Sequence, residues 1–254
     1  MKRTLLIPLA LTAVIATATG CGASSVAHPS APATAPAKAT TSPAPPPAVA
    51  AQGHSECAEL NGTVRTDQTC HVQSATSAYK IDMSFPLDYP DLRAVTDFLK
   101  HDRDQFLDWV TNFGPSDRRG RAYQYTVTAK AFRSGTRESG TQSLVLEIDN
   151  DTGSAHEGHP NTTFQAFNFD LGKHAPITYY TLFKPGTQPL EVLNPIVRRK
   201  FNAPAAELTE KAYRDFALTD EAVIFFFGQD QVVPDNNGPK KITVPRDELA
   251  SLLA

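Results

Sequence analysis

From Tyr79 to Phe85 apolar residues alternate with polar ones, with Tyr79, Ile81, Met83 and Phe85 set against Lys80, Asp82 and Ser84. A period of two puts each set on its own face of a strand, so the pattern predicts a half-buried strand that Pro86 ends. From Asp91 to Phe113 the period changes: Leu92, Val95, Leu99, Phe106, Val110 and Phe113 recur at near-helical spacing, with His101-Asp102-Arg103 interrupting the stripe. Trp109 borders that stripe and is expected to pack in the core. Tyr123 to Arg133 and Gln142 to Asn150 predict an antiparallel hairpin, and Thr162 to Leu171, weighted by Phe164, Phe167 and Phe169, predicts a further strand. A turn is expected at His174-Ala-Pro176.

Leu190 to Phe201 is helical in pattern, with Pro195 either starting or kinking the helix, and Ala205 to Phe216 predicts another. Ala222 to Phe227 is a continuous β-branched and aromatic run, the mark of a central strand buried on both faces. Lys241 to Val244 predicts a short strand, with Pro245 at the start of a last helix that buries Leu249, Leu252 and Leu253. Strands clustered ahead of and between helices, without a regular βαβ rhythm, define the fold class as α+β. The expectation is one domain, residues 53–254, with a largely antiparallel or mixed β-sheet and packed helices.

The first 52 residues follow a different pattern. Lys2 and Arg3 precede an uncharged apolar run, Leu5 to Ala18, which is shorter than the roughly 20 residues that span a bilayer. This is the plan of a secretory signal over residues 1–20. The run ends in Ala18-Thr19-Gly20-Cys21, small residues directly before a cysteine, which resembles a bacterial lipobox and makes Cys21 the candidate lipidation site and membrane anchor. Ala16-Thr-Ala18 offers an ordinary small-x-small cleavage site as the alternative. Residues 21–52 are Ala, Pro, Ser and Thr with hardly a large apolar side chain, and eight of the chain's 20 prolines fall before residue 50. Such a segment cannot bury enough surface to offset its ordering entropy, so it predicts a disordered tether, reaching at most about 90 Å in an extended proline-rich form.

Over all 254 residues the formal charge is −3, and loss of Lys2 and Arg3 with the leader would leave 22 basic side chains against 27 acidic. An acidic chain lacks the basic face that neutralises phosphates, so no nucleic-acid partner is expected. Of the three cysteines, Cys57 and Cys70 form a pair of their own around a turn at Asn61-Gly62. In an oxidising compartment they would close a loop worth about 3 kcal/mol. The alternatives are two free thiols or a metal site, for which His71 is the adjacent ligand type.

Candidate chemistry concentrates in Asp149 to Pro160, with Asp170 and His174 beyond. Ser154 as nucleophile, His156 or His159 as base and Asp170 as the orienting acid would form a hydrolase triad. The segment lacks the second glycine of a nucleophile elbow, and nothing in it announces an oxyanion hole. His156-Glu-Gly-His159 spaces its histidines three apart beside Gly and Pro, where the zinc-protease pattern needs four on one helical face. A solvated turn is the plain alternative, and neither cofactor nor metal is expected. The basic clusters Arg118-Arg119-Gly-Arg121, Arg198-Arg199-Lys200 and Lys240-Lys241 are short and read as solvated surface. Asn61-Gly-Thr and Asn161-Thr-Thr match the N-glycosylation pattern, which a bacterial leader empties of meaning.

Several blocks in order carry a family resemblance: Cys57-Ala-Glu-Leu-Asn-Gly62 ahead of Cys70, then Phe85-Pro-Leu-Asp-Tyr-Pro90, then His159-Pro-Asn-Thr-Thr-Phe-Gln-Ala-Phe-Asn-Phe-Asp170. They continue with Pro176-Ile-Thr-Tyr-Tyr-Thr-Leu-Phe183, Asn194-Pro-Ile-Val197, Phe216 to Phe227 and Val244-Pro-Arg246. Residues 55–254 thereby resemble the secreted mycobacterial immunogenic antigens of the MPT type, within the wider RsiV family. The resemblance implies a single α+β domain, export and no established catalytic residue. Ala155-His-Glu-Gly158 departs from the Gly-Gly-x-His turn usual before the aromatic strand. A sigma-binding segment is not read in the N-terminal region, so anti-sigma activity is not carried over. Taken together the sequence predicts an exported binding module of the cell envelope, its partner a protein or envelope ligand, with a serine-type esterase as the alternative.

Overall fold

The computed structural model describes residues 47–113, 121–152, 160–202, 208–233 and 238–254. The chain opens with α1 (Pro47–Glu59), β1 (Thr63–Val64), β2 (Thr69–Ala75), β3 (Tyr79–Pro86), α2 (Leu92–Phe113), β4 (Tyr123–Ser134), β5 (Thr141–Asp151) and β6 (Asn161–Asp170). It continues with β7 (Ala175–Pro176), α3 (Tyr179–Leu182), α4 (Pro189–Phe201), a 3-10 turn (Glu210–Tyr213), β8 (Phe216–Leu218), β9 (Ala222–Phe227) and β10 (Lys240–Pro245). The result is α+β, as the pattern predicts. Among the described residues no helix is long and apolar enough to cross a membrane.

The first seven strands form one sheet in chain order. Every pair in it is antiparallel except β3 with β4, which are parallel because α2 crosses between them. The other three strands form a small antiparallel sheet in the order β10-β9-β8, with β9 in the middle.

Alternation along β5 shows how the layers stack. Leu144, Leu146 and Ile148 join the core under α1 and α2, with Leu99, Phe106, Tyr125 and Val127. Val145, on the opposite face, meets Ala217 and Phe226 of the small sheet. That sheet alternates in turn: Val223, Phe225 and Phe227 face a second core with Leu182, Leu193 and Val197 of α3 and α4. β9 is therefore buried on both faces, as its unbroken apolar run predicts.

Polar groups tie the sheets together. β7 pairs with β6 only at Phe169 and Asp170, which leaves most of β6's outer edge without a strand partner. The Gln229 N–H donates to the Thr162 carbonyl there, and the Ala166 N–H donates to the Asp215 carboxylate. Asn168 donates from its amide nitrogen to the Phe216 carbonyl at 2.9 Å, and the Leu218 N–H donates to the Ser143 hydroxyl at 3.0 Å. An otherwise open edge is thereby covered, and these backbone groups are paired.

Some expectations hold and others are corrected. The helix expected from Asp91 to Phe113 forms as α2, its polar triplet held by the Tyr125 hydroxyl, which donates to Asp102 at 2.7 Å, and by Arg103, which donates to the Leu60 carbonyl. Of the helix expected from Ala205 to Phe216, the described residues from Leu208 onward form a 3-10 turn followed by β8, whose Phe216, Ala217 and Leu218 are all buried and so carry no helical stripe. Pro245 ends β10 opposite Ala222, and the residues after it fold as turns. Pro195 lies inside α4. Trp109 is at the core margin, edge-on to Tyr123 and stacked on Phe113. α1 straddles the boundary drawn at residue 52, and Gly53 fits there because a Cβ would come within 3.1 Å of Leu87.

Candidate functional site

Cys57 and Cys70 are joined in a disulfide, and both are fully buried. Asn61 adopts a left-handed φ of 59° and Gly62 donates to the Cys57 carbonyl, so the chain turns tightly around the sulfurs. The alternatives of free thiols and a metal site are excluded by that bond. Cys21, Ser154, His156, Glu157 and His159 lie outside the described residues. Among the described residues no group of three His, Cys, Asp or Glu side chains is arranged to hold a metal.

Asp170 is described, and its position breaks the expected triad. In the β5–β6 hairpin Asp170 stands opposite Thr141, whereas Asn161 stands opposite Asn150 at the other end. Nine residues of strand separate Asp170 from Asn161, about 30 Å. The segment bearing Ser154 and His159 joins the strands at the Asn150–Asn161 end, so Asp170 cannot orient a histidine at 159. Its carboxylate has other work: it accepts the N–H groups of Gly172 and Lys173 at 3.0 and 2.9 Å and faces the Lys173 ammonium at 3.4 Å. Those contacts, the Lys173 N–H first, hold the carboxyl below the usual range. The sequence places a reactive acid there; the structure places a turn-capping one.

A groove of about 730 Å³ opens beside the second core, between α3, α4 and the Glu210–Tyr213 turn. α4 contributes Leu190, Glu191, Asn194, Pro195 and Arg198. These fall at helical spacing, so they share one face. Pro195 has no N–H to donate to the Glu191 carbonyl, which leaves one turn of that face without its usual backbone bond. Leu208, Thr209, Glu210, Lys211 and Arg214 form the opposing wall, and Tyr180, 60% exposed, stands at the rim.

A buried hydrogen-bond chain stiffens the floor. The Tyr213 hydroxyl donates to Asn194 Oδ1 at 2.8 Å, and Asn194 Nδ2 donates to the Leu208 carbonyl at 3.1 Å. Beside it the buried Tyr179 hydroxyl has no hydrogen-bond partner among the described residues. Burial, with the Glu210 charge adding to it, pushes that phenol up to about 12.

The basic cluster at Arg198 to Lys200 is divided by the helix: Arg198 faces the groove while Arg199 and Lys200 are exposed outside it. The groove itself was not anticipated from sequence. The available signal was the polar set Glu191, Asn194, Arg198 at helical spacing, on the flank of α4 beside the buried Leu193 and Val197.

Comparison with known proteins finds relatives along most of the chain. The profile of a family described as a protein of unknown function, DUF3298, matches residues 180–247, which include every residue lining the groove. An esterase of Mycobacterium tuberculosis is 39% identical over 212 residues, covering 80% of this chain and 91% of that protein. The immunogenic proteins MPT64 of Mycobacterium tuberculosis and MPB64 of Mycobacterium bovis are each 36% identical over 207 residues, covering 78% of this chain and 88% of theirs. A solved DUF3298 family protein of Pseudomonas aeruginosa is 14% identical, covers 77% of this chain and 96% of its own, and aligns with a TM-score of 0.49.

Proposed function

The chain belongs to the family of the mycobacterial immunogenic proteins MPT64 and MPB64, and from that premise we propose that it is an exported binding module of the cell envelope. It takes its ligand in the groove of α3, α4 and the Glu210–Tyr213 turn. The observation that carries this reading is the groove itself, a preformed concavity with an aromatic rim, apolar and charged walls and a hydrogen-bonded floor. Export is supported by the basic, apolar and small-residue succession of residues 1–20, lipid anchoring by Cys21 after Ala18-Thr19-Gly20, and spacing from the membrane by the proline-rich tether.

The test compares the parent with Pro195→Trp, a change that fills the groove at a position where loss of proline favours the helix. Each is incubated with cell-envelope extract, and the molecules it retains are identified by mass spectrometry. A molecule held by the parent and lost from the variant is the expected result. Equal retention by both would move binding off the groove.

A second reading, ester hydrolysis, is favoured by the relative named an esterase. It would need Ser154 and His159 with an acid other than Asp170. Asp149, whose carboxylate accepts the Thr162 hydroxyl at 2.6 Å, lies at the right end of the hairpin. Hydrolysis of short and medium acyl esters, measured beside Ser154→Ala and His159→Ala, tests that reading.

A further inference from the structure

Two cations stand on one wall of the groove. Lys211 lies in the 3-10 turn and Arg214, three residues on, caps its C-terminal end, and both line the same wall. Neither forms an ion pair among the described residues. Arg214 lies over the Tyr180 ring, 6.0 Å from its centroid, and its Nη2 donates to the Tyr180 hydroxyl at 3.4 Å. No other hydrogen bond from that guanidinium reaches a described residue. Held this way, it keeps free donors in the planar fork that matches the two oxygens of a carboxylate or phosphate.

The rest of the groove limits what the anion can be. Leu190, Pro195 and Leu208 give it an apolar surface that a small inorganic ion would leave bare. Glu191 and Glu210 also line it. These two carboxylates repel a polyanion, so a single anionic charge suits the groove. A neutral lipid or sugar would leave Lys211 and Arg214 unanswered.

Resting on the reading of the groove as the ligand site, we propose that its ligand is a singly charged amphiphile. The oxyanion sits between Lys211 and Arg214, and the hydrocarbon body lies along Leu190, Pro195 and Leu208. Binding is non-covalent and saturates at one molecule per chain.

The experiment titrates the purified full chain with decanoate, decanol and acetate by calorimetry, and maps the site by amide chemical shifts. Decanoate is expected to bind saturably and to perturb groove amides, with acetate and decanol each roughly tenfold weaker or more. The double variant Lys211→Gln with Arg214→Gln should weaken decanoate by about tenfold or more while its circular dichroism matches the parent. Decanol binding as tightly as decanoate, or a double variant that binds decanoate like the parent, would overturn the anionic assignment and leave the groove a binding site. Decanoate binding that survives Pro195→Trp would overturn the groove reading itself. Absence of saturable decanoate binding would overturn the amphiphile.

Discussion

The carboxylate of Asp215 accepts the backbone N–H of Ala166 at 2.8 Å, joining the outer edge of β6 to the residue that leads into β8. Burial pushes this carboxyl up to about 6, against the pull of the Ala166 N–H and the Arg214 charge. A folded-state value above the unfolded one means that the folded protein holds the proton more tightly. Stability from this group is therefore fully present below about pH 4 and is lost as the pH rises through 6. A gap of about two units corresponds to about 3 kcal/mol.

Asp215→Asn keeps an oxygen for Ala166 and removes the charge. Thermal melts at pH 4.5 and 7.5 should show the variant gaining on the parent at the higher pH by a few degrees, with little difference at the lower. A parent-to-variant gap independent of pH would show that the carboxyl does not titrate in this window.

Gly62 is the tightest point around the disulfide. A Cβ built there would stand 2.5 Å from Cys70 Sγ and 2.7 Å from Cys57 Sγ, closer than real contacts allow. Gly62→Ala should cost about 2 kcal/mol or more in oxidised protein, and the double Cys57→Ala, Cys70→Ala variant about 3 kcal/mol. In the cysteine-free background the glycine substitution should cost much less, because the two sulfurs are gone and only the carbonyl of residue 57, at 3.0 Å, remains close. Denaturant midpoints of the four proteins measure this coupling, and strict additivity would refute the clash.

Two tyrosines at the groove floor should respond oppositely to loss of their hydroxyls. Tyr213→Phe leaves Asn194 Oδ1 without its donor and should cost about 1 to 2 kcal/mol. Tyr179→Phe removes a buried hydroxyl that has no partner among the described residues, so it should be neutral or stabilising by up to about 1 kcal/mol. Urea unfolding separates the two. A Tyr179→Phe cost equal to that of Tyr213→Phe would mean that an ordered water satisfies the hydroxyl.

Periodicity made the strands legible wherever one face is apolar: β3, β4, β5 and β9 stand where alternation or an unbroken apolar run places them. It failed where tertiary partners replace a stripe. α1 has almost no apolar face and is held through Cys57, Leu60 and the buried Glu56, which accepts the Thr96 hydroxyl at 2.7 Å from α2. β2 buries only Cys70 and Val72, too few positions to show a period. The groove is harder still to read, because its walls come from segments some twenty residues apart. Asp170 shows the limit from the other direction: a residue near Ser154 and His159 in sequence is carried a full strand away by the hairpin register.

Lipid on Cys21 predicts retention by membranes. Each buried CH₂ contributes about 0.8 kcal/mol, and stable anchoring takes more than one chain. Cys21→Ala should move the protein from the detergent phase to the aqueous phase, or leave the precursor uncut. Equal detergent partitioning of variant and parent would remove the lipid from the account and leave ordinary cleavage after Ala18.

Asp170 gives the last prediction, because it separates turn capping from catalysis. Asp170→Asn keeps a side-chain oxygen for the Gly172 and Lys173 N–H groups and loses the charge that a triad acid must supply. Asp170→Ala loses both and should cost about 1 kcal/mol of stability. If the chain hydrolyses acyl esters through Ser154 and His159, the parent and Asp170→Asn should turn over at the same rate, while Ser154→Ala and His159→Ala lose nearly all of it. The geometric reason is the register: with Asp170 opposite Thr141 and Asn161 opposite Asn150, no side-chain motion spans the length of the hairpin. Asp149→Asn then becomes the informative change, since that carboxylate is on the proximal end and the amide removes its charge while keeping an oxygen for the Thr162 hydroxyl. Turnover abolished in folded Asp170→Asn would require a different strand register in the working protein.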